Sequence, residues 1–142
     1  MIGFDVKKLF FDRAAVTSRV DQASRRVLSR FGAFVRRTAK GSIKKRKAAS
    51  RPGTPPSSHT GLLKRFIFFA YEPALRSVVI GPMRLNQRNR GDAPSLLEYG
   101  GRTTLVRRDK ELRRTYRPRP YMGPAFEKER PKLPDMWRGS IK

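Results

Sequence analysis

Apolar residues between about Phe4 and Thr38 recur mostly three and four positions apart: Val6, Leu9, Phe10, Val16, Val20, Ala23, Val27, Phe31, Phe34 and Val35. That spacing predicts one long amphipathic helix, with Gly32 as its only weak point and a possible bend. Val20, Val27, Phe31 and Phe34 are expected to face one core. The arginines Arg13, Arg19, Arg25, Arg26, Arg30, Arg36 and Arg37 fall largely off the stripe, on a face that is either solvated or set against another subunit or DNA.

The pattern stops at Lys40. Residues 40–59 carry six positive charges, no negative one, three prolines and two glycines, which reads as a long basic loop. A connection of this length is usually functional or disordered. With no core of its own, it is expected to be ordered by neighbouring molecules. Thr60 can cap a helical turn over 61–65. Phe66–Tyr71 and Leu75–Ile80 read as two strands of an antiparallel pair around the turn Glu72-Pro73-Ala74. Pro94–Tyr99 reads as a short helix closed by Gly100-Gly101. Thr103–Tyr116 reads as a charged hairpin, with a short helix as the alternative. Arg117–Tyr121 is extended, because each proline turns its predecessor away from α. A last helix begins around Pro124 and is broken by Pro131 and Pro134.

The fold class is therefore α+β. A long N-terminal helix (1–39) and a C-terminal helix pack on a small, mainly antiparallel sheet (within 60–142), with the basic loop (40–59) between, all in one domain. A length of 142 residues suits one core.

Charge changes the picture more than size does. Thirty-four Lys and Arg against 11 Asp and Glu give a formal net charge of +23, spread along the whole chain. Such a chain favours a polyanionic or acidic neighbour. The absence of cysteine excludes disulfides, thiolate metal sites and cysteine nucleophiles. No run of about 18 uncharged apolar residues and no apolar leader is present, so a soluble, unsecreted chain without membrane partners is expected. The single histidine, His59, lies in a Ser/Pro-rich loop without an acid partner, and no phosphate-binding glycine motif occurs. An enzyme, a cofactor or a metal is not expected. Lys44, Lys45, Arg46, Lys47 and Arg51 are candidate contacts to DNA or an acidic partner. A second cluster, Arg113 to Arg119 with Tyr116 and Tyr121, has the makings of a phosphate-neutralising and base-stacking surface. No motif points to sequence-specific recognition.

Four short segments carry a resemblance: Thr60-Gly61-Leu62-Leu63-Lys64-Arg65, Val78-Val79-Ile80-Gly81-Pro82, Leu97-Glu98-Tyr99-Gly100, and Arg119 to Arg130 with its Pro124-Ala125-Phe126. In this order, after an amphipathic helix and a loop, they resemble the neck or tail-completion (head–tail joining) family of long-tailed bacteriophages. The chain departs from that pattern in the basic stretch Lys40–Arg51, in the charged insertion Thr103–Arg117, and in Tyr121-Met122, where Phe-Leu is commoner. The resemblance implies a structural virion protein, assembled in the host cytoplasm. It would form a homo-oligomeric ring, six copies favoured and twelve possible, between the head connector and the tail terminator or tube proteins, completing the DNA channel with non-specific DNA contact. Glu98, as a natural partner for an arginine, with Tyr99, Pro120, Tyr121 and Met122, are the candidate subunit-interface residues, with packing inside the chain as the alternative. The competing reading is a ribosomal-protein-like or other non-sequence-specific nucleic-acid-binding module.

Overall fold

A computed structural model describes residues 12–83 and 93–141. Asp12 opens the first helix: its backbone is non-helical, and its carboxylate accepts the Ala15 N–H at 3.0 Å. The helix, α1, runs Arg13–Ser42, 30 residues or about 45 Å. The expected helix thus gains a start signal in Asp12 and ends four residues beyond Thr38. Its earlier portion, with Val6, Leu9 and Phe10, lies outside the described residues.

After α1 come β1 (Lys44–Lys45), β2 (Ser57–Ser58), α2 (Leu62–Arg65), β3 (Ile67–Glu72), β4 (Ser77–Pro82), α3 (Ala93–Tyr99), β5 (Gly101–Arg107), β6 (Lys110–Tyr116), α4 (Met122–Glu129), a 3-10 turn at Arg130–Lys132 and α5 (Leu133–Trp137). The architecture is α+β, as the pattern predicts. Among the described residues the strands form three separate two-stranded units instead of one sheet: β1–β2 parallel, β3–β4 and β5–β6 antiparallel.

The core forms on one stripe of α1. Ala23, Val27, Phe31, Val35 and Ala39 are buried at four-residue steps, and Ile43 continues the line past the helix end. Phe31, Val35, Ala39 and Ile43 pack with Leu63, Ile67, Tyr121 and Ala125, and Val78, Ile80, Leu97, Met122, Leu133 and Met136 close the periphery. Two layers therefore meet along α1, the β3–β4 hairpin on one flank and α4–α5 on the other. Phe31 reaches the second layer through an edge-on contact with Phe126, ring centres 5.7 Å apart. Of the four residues expected on one core face, Val27 and Phe31 are buried, whereas Val20 and Phe34 are half-buried on the flanks. Phe34 lies under three cations, Arg30, Arg37 and Lys132, each 5.7–5.8 Å from its ring centre.

Gly32 is a contact point, not a weak one. A Cβ there would stand 2.9 Å from Phe69 Cδ2 and 2.9 Å from Val78 Cγ2, so the missing side chain lets the β3–β4 hairpin lie directly on the helix. Gly41, in the same helix, has no neighbour within 4 Å. The two glycines should respond oppositely to alanine. Gly32→Ala is expected to destabilise by about 1–2 kcal/mol, overpacking exceeding the gain in helix propensity, whereas Gly41→Ala should stabilise by up to about 1 kcal/mol. Phe31→Ala should cost about 3–5 kcal/mol. Denaturant unfolding of the three variants checks all three values.

Candidate functional site

Two of the sequence motifs meet at one carboxylate. Glu98, near the end of α3, accepts the backbone N–H groups of Tyr121 (2.8 Å) and Met122 (3.0 Å) through Oε2 and of Gly123 (2.8 Å) through Oε1. These are among the N–H groups that a helix leaves unpaired at its start, and a negative charge there also suits the positive end of the α4 dipole. Gly123 permits the approach, since a Cβ on it would lie 3.1 Å from Glu98 Oε1.

Gly100 does a second job two residues on. It adopts φ +73° and donates to Leu96 O at 2.9 Å, ending α3. A Cβ at this position would fall 2.9 Å from Pro118 Cδ and from the Tyr116 carbonyl oxygen. The Glu98-Tyr99-Gly100 spacing is thereby explained. Glutamate holds the start of α4, and glycine gives room to the strand that leads into it. Arg119 N–H donates to Leu97 O at 2.6 Å and fixes the same strand between the two.

Glu98 and Tyr121, expected at a subunit interface, are engaged inside the fold. Among the described residues Glu98 serves the backbone of 121–123 and pairs with no arginine. Tyr121 is 1% exposed and belongs to the core, and Met122 packs on its edge. Pro120 is half-buried. Tyr99, which points away from the Glu98 contact by the turn of its helix, is 81% exposed.

The basic loop, which offers no core of its own in sequence, is tied down at several points by its own chain. Lys44 and Lys45 pair with Ser57 and Ser58 as a short parallel bridge. Gly53 N–H donates to Pro118 O (2.9 Å) and Arg119 Nε to Ser50 O (3.0 Å). Pro56 is fully buried. Ser58 Oγ accepts the Gly61 N–H at 3.0 Å, and Thr60 Oγ1 the Leu62 N–H at 3.3 Å; the cap position of α2 is Gly61, at φ +81°, and not Thr60 as expected. Lys44, Lys45, Arg46, Lys47 and Arg51 are all left exposed. The loop is a braced platform that presents cations.

Sequence reasoning underrated a second carboxylate. Glu129 is 3% exposed, accepts Thr38 Oγ1 (2.6 Å) and forms an ion pair with Lys132 Nζ (2.6 Å), joining α4 to α1. The hydrogen bond from Lys132 holds its carboxyl below the usual glutamate range, that from Thr38 and the charges of Lys132 and Lys128 add to this, and burial opposes it. The expectation of local pairing holds for Glu129, yet the burial and the reach to Thr38 leave no trace in a charge-rich sequence. Elsewhere like charges crowd. Lys40 has its pKa lowered by burial and then by the charges of Arg36 and Lys64. His59 is exposed, and among the described residues no three His, Asp or Glu side chains gather to hold a metal ion.

Two measurements test the role of the carboxylates. Glu98→Ala leaves three N–H groups without their acceptor and should cost about 2–4 kcal/mol, with Glu98→Gln costing less because one oxygen remains. Because the folded-state pKa of Glu129 is lowered, its contribution is fully present above the unfolded value, about 4.3, and is lost as pH falls through the folded value. Unfolding free energies of Glu129→Gln should therefore be lower than wild type at neutral pH, with the difference narrowing below about pH 4.

Searches against family models, curated proteins and solved structures find no match to this chain.

Proposed function

We propose that this protein is a structural virion component that forms a ring in the neck of a tailed phage, joining the head connector to the tail and completing the DNA passage. The observation that carries the reading is the Glu98 contact. The Glu-x-Gly segment and the residues 121–123 that lead into Pro124-Ala125-Phe126 are two halves of one device, bound through three hydrogen bonds, and Gly100 and Gly123 each have a steric reason. Motifs that depend on one another physically are more telling than the same motifs scattered at random.

The surface suits an assembly part. On β3–β4, alternation sends Ile67, Phe69 and Tyr71 toward α1 and leaves Phe68, Ala70 and Val79 on the outer face, with Phe68 43% and Val79 64% exposed. Arg36 of α1 lies over the Phe68 ring, 5.8 Å from its centre, and Val79 is the more open of the two. A closed ring needs two different patches on each copy, one received by the other. The apolar hairpin face supplies one, and the region around exposed Tyr99 is a candidate for the other. The platform cations Lys44 to Lys47 would meet channel DNA or an acidic neighbouring ring without sequence preference.

Negative-stain imaging of the purified full-length chain, and its localisation in virions, test the reading. Rings of six or twelve copies, or a position at the head–tail junction, are the expected results, whereas a monomer recovered only with ribosomes overturns it. Val79→Arg should abolish self-association while leaving the unfolding transition close to wild type. Neutralising Lys44, Lys45, Arg46 and Lys47 together should lower the yield of intact tailed particles more than it lowers stability.

A further inference from the structure

The β5–β6 hairpin stands apart from the rest of the molecule. Its strands pair over seven residues each, from Gly101↔Tyr116 to Arg107↔Lys110, a ribbon about 23 Å long. It packs substantially against no other described element, and every residue from 104 to 115 is exposed. The tip is a two-residue turn, Arg108-Asp109, with φ +50° and +61°, the left-handed pair whose twist matches that of the flanking strands. An isolated ribbon is marginal in water and gains firmness from a partner.

Its composition limits that partner. Residues 101–116 hold six cations, Arg102, Arg107, Arg108, Lys110, Arg113 and Arg114, against Asp109 and Glu111. The pairing register puts Arg107, Lys110 and Arg114 on one face with the cross-strand pair Leu105–Leu112, and Arg102 and Arg113, with Glu111 beside them, on the other. Charge on both faces is a poor match for a protein interface, whose centre is depleted of charge and needs more apolar area than one leucine pair and Val106 offer. It matches a groove with phosphates on both walls. The major groove of B-form DNA, about 12 Å wide, admits a two-stranded ribbon, whereas the corresponding groove of an RNA duplex is too narrow.

We propose that the β5–β6 ribbon is a duplex-DNA-binding arm, lying in a groove with its cations on the phosphates of both walls and reading no sequence. The proposal deepens the neck reading and rests on it for where such DNA would be met; the charge geometry stands without it.

Fluorescence anisotropy with a labelled random-sequence duplex, titrated with the full chain at several salt concentrations, tests the arm. The variant R107Q/K110Q/R113Q/R114Q keeps the turn and the base of the ribbon. It should bind more weakly, with a salt slope shallower by at least about 1.8, the equivalent of two phosphate contacts. Replacing Thr103–Arg114 by Gly-Gly should do the same if the first variant folds poorly, and L105S/L112S should keep the wild-type slope. Wild-type affinity and slope in both charge-depleted variants overturn the proposal. So does tighter binding of wild type to polyglutamate than to duplex at equal charge concentration, which would assign the ribbon to an acidic protein. Ring images of the same samples separate the two readings: rings with unaltered DNA binding defeat the arm alone, and lost DNA binding in a chain that never forms rings defeats the neck reading alone.

Discussion

The placement of α4 depends on where one carboxylate sits. The start of α4 is part-buried on the side of Tyr121, and Glu98 takes three of its first N–H groups at 2.8–3.0 Å. A neutral acceptor would satisfy them more weakly; a carboxylate adds charge at the positive end of the helix. Tyr121 and Ala125, placed by that cap, then complete the core against Phe31 and Val35, and Glu129 at the other end of α4 locks onto Thr38. One short helix is thus pinned at both ends by acids.

This use of acids makes sense of the charge imbalance. With 11 carboxylates in the whole chain, Glu98 and Glu129 hold α4, Asp12 caps α1, and Asp21 meets Arg76 across to the β3–β4 turn. Four of the acids are placed where the fold uses an acceptor, which leaves still fewer to offset 34 Lys and Arg. Exposed pairs such as Glu127–Arg130 and Asp135–Arg138 contribute little to stability. Self-repulsion among the unpaired cations is therefore a standing cost of the isolated chain, which a polyanionic neighbour would relieve.

Much of the fold was legible in the sequence, for reasons that differ by element. The four-residue steps of α1 and the period-two runs of β3 and β4 are direct consequences of burial on one face, so they can be read without a structure. Gly100 and the prolines at 118, 120, 131 and 134 mark ends because their backbone limits are local. What the sequence hid was pairing over distance. Glu98 looked like a partner for arginine because charge is visible in a sequence and backbone N–H groups are not. Tyr121 looked like a docking residue because nothing local shows that Ile43 and Ile67 surround its position. The basic loop looked unsupported because its support comes from Pro118 and Arg119, more than sixty positions away. Gly32 looked like a flaw in a helix because the hairpin that needs its absence of side chain begins beyond the loop.

The attachment of the loop has a mechanical side. Ser50 and Gly53 are bonded to residues 118 and 119, and only two residues further along the chain lies the backbone that Glu98 holds. Between the cations at 44–47 and the buried Tyr121 there is thus little slack. A neighbour that grips the loop pulls on the cap of α4 and, through it, on the centre of the molecule. Load taken up at this basic surface is delivered to the most deeply packed part of the chain instead of being absorbed in a flexible tether.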